Sequence, residues 1–385
     1  MKILDKYFIG DTLNVNWDYI ESIPEFAKLN ACEQNPRWHG EGNAMQHTKK
    51  CVEASYRIVN LYYDADVDKR IAIAAVLFHD IGKGVTTEFK NGNWHAYGHE
   101  FAGERITRRI LWDEPIDVRE RICNAVRYHM DVLRIADSTK DIVKKIITPT
   151  FNKFFRWKDI IFVKWCDVYG SITANEDDTQ IAISQLQTME DITNELDVYT
   201  NNMFDQTLYR SYVLGKKVLW LRKFKKNIPN VYVLIGLPGS GKNTWIEAMK
   251  DYSDRDYVSI SRDDIRFELG YCKEGEKVVL SADKEEKVSE VFNERFINAV
   301  SEGKDVVLNN LNLKKQYRDV YGRLLMDNGL NHVNWIYVYI EAKDMETLLH
   351  RRPTIPFSAY EGMIEKFDFP QPGEYDDILI VKQFQ

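Results

Sequence analysis

The stretch Val231 to Trp245, VYVLIGLPGSGKNTW, constrains this chain more than any other. Val231, Val233 and Ile235 stand among β-favouring neighbours in a short apolar run, as a central parallel strand requires, and the run stops at Gly236. Gly236, Gly239 and Gly241 allow a tight turn, with Ser240 between them. Its N–H groups point inward at phosphate oxygens, and the helix that follows adds the positive end of its dipole. Lys242 supplies a point charge for β- and γ-phosphates. The pattern G-x-x-x-x-G-K-[ST] is met at every position but the last, where Asn243 replaces the magnesium-ligating hydroxyl and Thr244 follows one residue later. The second half is therefore expected to bind ATP or another NTP with magnesium, on a parallel α/β sheet.

With 385 residues, 44% of them hydrophobic, the chain is long enough for two cores. The start, MKILDKYFIGDTLN, has no long apolar h-region, and no run approaches the roughly 18 apolar residues of a membrane span, so the expected place is the cytoplasm and no membrane partner. Five cysteines without C-x-x-C spacing argue for reduced, buried thiols rather than a disulfide framework or a zinc ribbon. A net charge of −7 excludes a global field for nucleic acid and leaves only local basic patches.

The first half carries ligand chemistry on helices. Ile20, Ile23, Phe26 and Leu29 have helix-like spacing, ended by Asn35-Pro36. His39, Glu41 and Asn43 lie in a Gly-rich loop, with no role assigned by spacing alone, and His47 stands near the start of a long helical pattern. Ile71 to Phe78 is almost wholly apolar, as a central helix must be, and then presents His79 and Asp80 side by side. Imidazole and carboxylate are the usual ligands of divalent transition metals, and a carboxylate bridges two ions. Gly82 permits the turn that follows, and Lys83 is within reach of a phosphate. His99 opens another helical stretch, His129 follows in an amphipathic one, and Ser171 lies one turn after Asp167 on the same face. His95 reads as a loop residue. FNKFFRWKDIIFVKW interleaves Lys153, Arg156 and Lys158 with Phe151, Phe154, Phe155 and Trp157, and reads more simply as a packed aromatic face than as a base-stacking one. Residues 210–226, with seven basic residues and no acidic one, read as a solvated connector.

The pattern H…HD-x-G-K…H…H…D over about residues 30–200 resembles the HD superfamily of metal-dependent phosphohydrolases. The resemblance implies an all-α domain in which His47, His79, Asp80 and Asp167 hold one divalent metal and His99 and His129 complete a second site, with Asp80 bridging. It also implies that Lys83 and the metals (manganese, nickel, cobalt, iron or zinc) stabilise a phosphate under in-line attack by water.

Beyond the glycine-rich loop, Val258 and Ile260 alternate as a short strand with Asp263 and Asp264 at its carboxyl end, the edge where parallel sheets bind ligands. A carboxylate there can take a proton from an attacking hydroxyl, and Asp263 alone can also serve as a helix N-cap. Arg266 can hold a phosphate, and Arg351 and Arg352 reach a Pro-bounded turn suited to a lid. These residues, with IPFSAYEGMIEKFDFPQPGEYD, resemble the P-loop domain of polynucleotide 5′-kinases, and the whole chain is similar to the bacterial and phage end-healing enzymes called HD-Pnk. That resemblance implies two domains, 1–225 for metal-dependent phosphohydrolysis and 226–385 for the kinase. It gives Asp263 as general base, Arg266 on the acceptor's neighbouring phosphate, and Lys242 with Arg351 or Arg352 on the γ-phosphoryl. Asn243, and Asn310 where related viral enzymes carry Asp, depart from the pattern at the magnesium site. The implied partners are RNA ends, tRNA included, or DNA ends, with an RNA ligase acting next in a bacterial or phage-infected cell. A homo-oligomer stays open. A nucleotide phosphohydrolase fused to a nucleoside kinase, or an inactive nucleotide-sensing HD module regulating a kinase, are the other readings these residues allow.

Overall fold

Helices fill the first half because their sequence periods place apolar faces inward. The computed structural model describes residues 3–138, 140–202, 228–252, 256–273 and 279–382. The chain divides into two compact units, Met1–Lys217 and Val218–Gln385. The expected boundary at 225/226 and the basic stretch 210–226 lie outside the described residues.

In the first unit, the Ala44–Tyr62 helix begins at a reciprocal cap: Asn43 accepts from the backbone of Gln46, whose side chain accepts from the backbone of Asn43. The Asp66–Phe78 helix is buried from Arg70 to Phe78, which is why its sequence lacks a polar face. It packs against Ala44–Tyr62 and Ile116–Tyr128, while Trp157–Gly170 packs along Ala44–Tyr62. Two glycines let backbones meet where the polar residues converge. A Cβ at Gly82 would lie 2.0 Å from the carbonyl oxygen of His99, and one at Gly170 would lie 2.5 Å from the Cys51 sulfur. The His99–Ile110 helix therefore sits directly on the turn that follows Asp80, and the end of Trp157–Gly170 closes on the helix carrying His47.

Phe151, Phe155 and Trp157 are fully buried and Phe154 nearly so, so the aromatic interleaving is core packing. One element departs from the all-helical expectation: β1 (Glu88–Lys90) and β2 (Asn93–His95) form a hairpin. His95 ends a strand, where a loop was expected.

The second unit is a five-stranded parallel sheet. Its strands are β3 (Asn230–Ile235), β4 (Tyr257–Ile260), β5 (Asp305–Leu308), β6 (Asn334–Glu341) and β7 (Asp377–Lys382), in the order β4-β5-β3-β6-β7. Helices join them, including Lys242–Tyr252, Arg262–Glu268, Ala282–Ser301 and Met345–Arg351. A buried polar clamp fixes the register of the three middle strands. Asn230 donates through its backbone and its side-chain amide to the two oxygens of Asp305, and Asn334 donates to the Asn230 side chain, each at 2.9 Å. Slipping one strand would leave these groups unpaired in the interior, where each costs about 1–3 kcal/mol.

Candidate functional site

Six residues drawn from five separated stretches of the first unit meet around Asp80. His79 and Asp80 follow the central helix, His47 comes from Ala44–Tyr62, His99 from the start of its helix, His129 from the cap after Ile116–Tyr128, and Asp167 from Trp157–Gly170. All six are buried. Asp80 stands between two groups. Its Oδ2 lies 3.5 Å from His47 Nε2 and 3.3 Å from His79 Nε2, while its Oδ1 lies 3.3 Å from His99 Nε2 and 3.9 Å from His129 Nε2. Asp167 Oδ1 is 3.0 Å from His47 Nε2 and 3.9 Å from His79 Nε2.

The far nitrogens decide what the near ones can do. His79, His99 and His129 each donate Nδ1–H to a backbone carbonyl three residues earlier, at 2.7–2.8 Å, from Val76, Ala96 and Val126. His47 Nδ1 is held by Glu41 at 2.7 Å. With Nδ1 so occupied, the neutral form of each ring presents the lone pair of Nε2 inward, the tautomer a metal requires. Burial opposes charge on His47, yet Cys51, Asp167 and Glu41 around it hold its imidazole well above the ordinary pKa. Burial pushes the His129 imidazole well below its ordinary pKa, with His99 and His79 adding to the effect. Burial opposes the charge on Asp80, yet His79 and Lys83 beside it hold the carboxyl well below the usual range; Lys164 and His47 do the same for Asp167.

Four imidazoles and two carboxylates thus converge in one buried cluster. His79 Nε2 is buried without a hydrogen-bond partner, which burial makes costly. Lys83 Nζ lies 2.6 Å from Asp80 Oδ2 and 2.7 Å from Gln34. Ligand atoms of His47, Cys51, His79 and Asp167 fall within 4.8 Å of one another, as do those of Asp80, His99 and His129. This donor set fits one or two divalent transition metals.

The cluster opens into a cavity of about 710 Å³ that Lys83, Lys164 and Ser171 also line. The Ser171 hydroxyl donates to the carbonyl of Asp167 at 2.8 Å, closing the helix end.

In the second unit the loop after β3 turns at positive φ at Gly239 and Gly241. Lys242 Nζ spans it, donating to the carbonyls of Gly236 and Leu237 at 2.9 Å. Arg351 donates to the carbonyl of Gly239, and the Arg352 stem would touch a Cβ there, so both arginines border the loop. Ser240 is buried, whereas Asn243 and Thr244 are exposed. Asn243 pairs with Asn309 at 3.0 Å. Asn310 instead accepts from the backbone of Arg262 and donates to the Tyr321 hydroxyl. The amide facing Asn243 is thus the first residue after β5, one position before the expected Asn310.

Ser261 caps the Arg262–Glu268 helix, accepting from the backbones of Asp263 and Asp264. That leaves the Asp263 carboxylate, 88% exposed, outside the cap and 2.5 Å from Arg266, which Glu285 holds from its other side.

Residues 45–158 match the family model described as HD domain, and residues 231–368 match the one described as AAA domain. The chain joins an HD domain to an AAA domain. Among curated proteins it is 32% identical over 102 residues to a protein of Autographa californica nuclear polyhedrosis virus, provisionally named a bifunctional polynucleotide kinase/RNA ligase. That alignment covers 24% of this chain and 14% of the viral protein. Solved structures similar to it include a chain of a Pnkp1/Rnl/Hen1 complex (19% identity, TM-score 0.30, covering 39% of this chain and 47% of that one). A gluconokinase from Sinorhizobium meliloti 1021 has 22% identity and a TM-score of 0.30, over 42% of this chain and 86% of its own. The chain spans well under two thirds of the length of the viral protein and of the chain from the complex.

Cys51 has no place in the sequence pattern of the site, and Glu41 is left open by it. Cys51 Sγ lies 3.3 Å from His47 Nε2; its position one turn after His47 on the same helix face was the available sign. Glu41 is fully buried at its side chain, which binds both His47 and His39, and no local pattern marks a carboxylate that works through a neighbour. Four cysteines are buried and none is bonded to another among the described residues. No helix among them is long and apolar enough to cross a membrane.

Proposed function

We propose that this chain heals broken RNA ends. The HD domain removes a 2′,3′-cyclic or terminal 3′ (or 2′) phosphate, and the AAA domain transfers the γ-phosphoryl of an NTP to a 5′-hydroxyl. The observation that carries the reading is the Asp80 carboxylate standing between two sets of inward-turned imidazoles in an open cavity, in a chain that also holds a phosphate loop with its glycines and Lys242 in place. The name of the viral relative supports the choice of polynucleotide over small substrate.

Divalent metals held at His47, His79, Asp80 and Asp167, and at Asp80, His99 and His129, supply the Lewis acid and the activated water when bound. The chain's own groups do the rest. Lys83, ion-paired to Asp80 at the cavity wall, donates to a non-bridging phosphate oxygen. Lys164 neutralises Asp167, and Ser171 fixes the helix end that aims it. In the AAA domain Lys242 swings from the loop carbonyls to the β/γ-phosphates, and Arg351 and Arg352 close over the transferring group. Asp263 accepts the proton of the 5′-hydroxyl, and Arg266 binds the adjacent phosphate of the acceptor strand.

The test incubates the full chain, ATP and manganese with a short RNA bearing 5′-OH and 2′,3′-cyclic phosphate ends, and reads both termini by mass. Both ends change. Lys242→Ala or Asp263→Ala abolishes 5′ phosphorylation and spares phosphate removal, and Asp80→Ala does the reverse. Loss of both activities from either class of variant, or consumption of free nucleotides with neither RNA end altered, sinks the reading.

A further inference from the structure

The cavity that holds the His and Asp cluster has an aromatic rim that serves no core. Trp38, 41% exposed, lies under the guanidinium of Arg37 at 4.6 Å and lines the cavity. The β1–β2 hairpin adds Trp94 and His95 to the same lining. Asn91 and Gly92 both take positive φ at its tip, the two-residue turn whose twist matches paired strands. Phe89 and Trp94 pair directly across it with ring centroids 5.0 Å apart. Just beyond β2, Tyr97 stacks on His95 at 5.0 Å and 12° while remaining 73% exposed. β1 is exposed along its length and β2 half-buried. A lone hairpin of this kind is marginal by itself, and its rings add little to the interior.

Trp38, Trp94, His95 and Tyr97 line the same cavity as Asp80 and Asp167. Exposed rings continuous with a reactive cavity mark a surface for a ligand. Charge narrows its kind. Six carboxylates line the cavity against three cationic side chains, and each of those cations has a carboxylate partner: Lys83 with Asp80, Lys164 with Asp167, Arg134 with Glu100. Beyond one terminal phosphate, a polyanionic backbone finds little to hold it here. Flat rings find faces, and every nucleobase has a π-face whatever its sequence.

We infer that Trp38 and the His95–Tyr97 pair form a stacking platform for the last bases of a single strand whose terminal phosphate lies at Asp80. The inference rests on the phosphate-removal reading and adds its substrate subsite: end recognition by base stacking, indifferent to sequence.

The test uses the full chain and a 5′-phosphorylated single-stranded RNA ending in a 3′-phosphate, beside the same strand with its last two residues abasic. Binding by fluorescence anisotropy and phosphate release are both read. The wild-type chain prefers the base-bearing strand by about five- to tenfold or more in Kd and KM. Tyr97→Ala and Trp38→Ala each narrow that ratio, and Tyr97→Phe, which keeps a ring, keeps it. A wild-type ratio near one, or a ratio unchanged in both alanine variants, overturns the platform while leaving phosphate removal standing. If the base preference and its loss appear in binding but no phosphate is released, the platform holds and the phosphate-removal reading falls. If the strand is neither bound nor hydrolysed, both fall.

Discussion

Replacing Glu41 with glutamine tests whether the metal set depends on a carboxylate outside it. Glu41 Oε1 accepts from Nδ1 of His47 at 2.7 Å and of His39 at 2.9 Å, and Oε2 accepts from the backbone N–H of Ile172 at 2.8 Å. Burial alone would raise its pKa, but these donors outweigh burial and hold the carboxyl far below the usual range. Glutamine keeps the size, loses the charge and turns one acceptor into a donor. With its oxygen toward the histidines, its amide N–H₂ meets the N–H of Ile172; reversed, it meets two imidazole N–H groups. Either way a buried donor is stranded, at about 1–3 kcal/mol. His47 also loses the partner that fixes its tautomer, and outer partners of this kind are worth about 10–100-fold in metal affinity. Manganese titration of the full chain by electron paramagnetic resonance, beside phosphate release from a 3′-phosphorylated RNA, should show both weakened by that factor. The 5′ kinase activity of the same preparation should be retained. Manganese affinity and phosphate release equal to those of the wild type would refute the reasoning.

Three further outcomes are expected. Gly82→Ala forces a methyl against the backbone of His99 and Gly103, where nothing flexible can yield. It should destabilise the HD domain by about 1–3 kcal/mol, read as a lower Tm and weaker metal binding; an unchanged Tm would show that the His99–Ile110 helix moves freely. Asn243→Thr restores the loop hydroxyl and should lower the magnesium concentration needed for half-maximal 5′ phosphorylation; an unchanged or higher requirement would show that no ligand is missing beside the Asn243–Asn309 pair. Stripping metals with a chelator should end phosphate removal, and returning manganese at about a hundred times its Kd should stabilise the HD domain by about 2.7 kcal/mol. No rise in Tm on add-back would count against a metal held by the folded cluster.

The phosphate loop is legible in sequence because glycines, lysine, strand and helix are contiguous and each acts on the same turn. The histidines and aspartates are legible as residue types but not as a geometry. That Asp80 turns one oxygen to His47 and His79 and the other to His99 and His129 follows from Gly82 and Gly170 admitting two close backbone crossings, and a one-dimensional pattern holds no record of them. Glu41 stays undecided in sequence because it acts through two rings, and Cys51 is passed over because a buried thiol is so often inert. Asn91-Gly92 was a readable turn. The strands around it are too short, and too little buried, to show the alternation that reveals a hairpin. Asp263 is ambiguous between cap and base until Ser261 is seen in the capping role.

The clamp of Asn230, Asp305 and Asn334 also dictates when the sheet can exist. Val231 pairs with Val306, and Asn230 lies opposite Asn334, so the middle strand meets its first neighbour only after 75 residues and its second after 104. At about 5–20 residues per second of synthesis, VYVLI emerges from the ribosome roughly 4–15 s before β5 exists to cover one edge. The helical half, whose residues all precede the sheet, can close in that interval. The apolar central strand waits meanwhile with both edges open, a template for wrong pairing until β5 and β6 arrive.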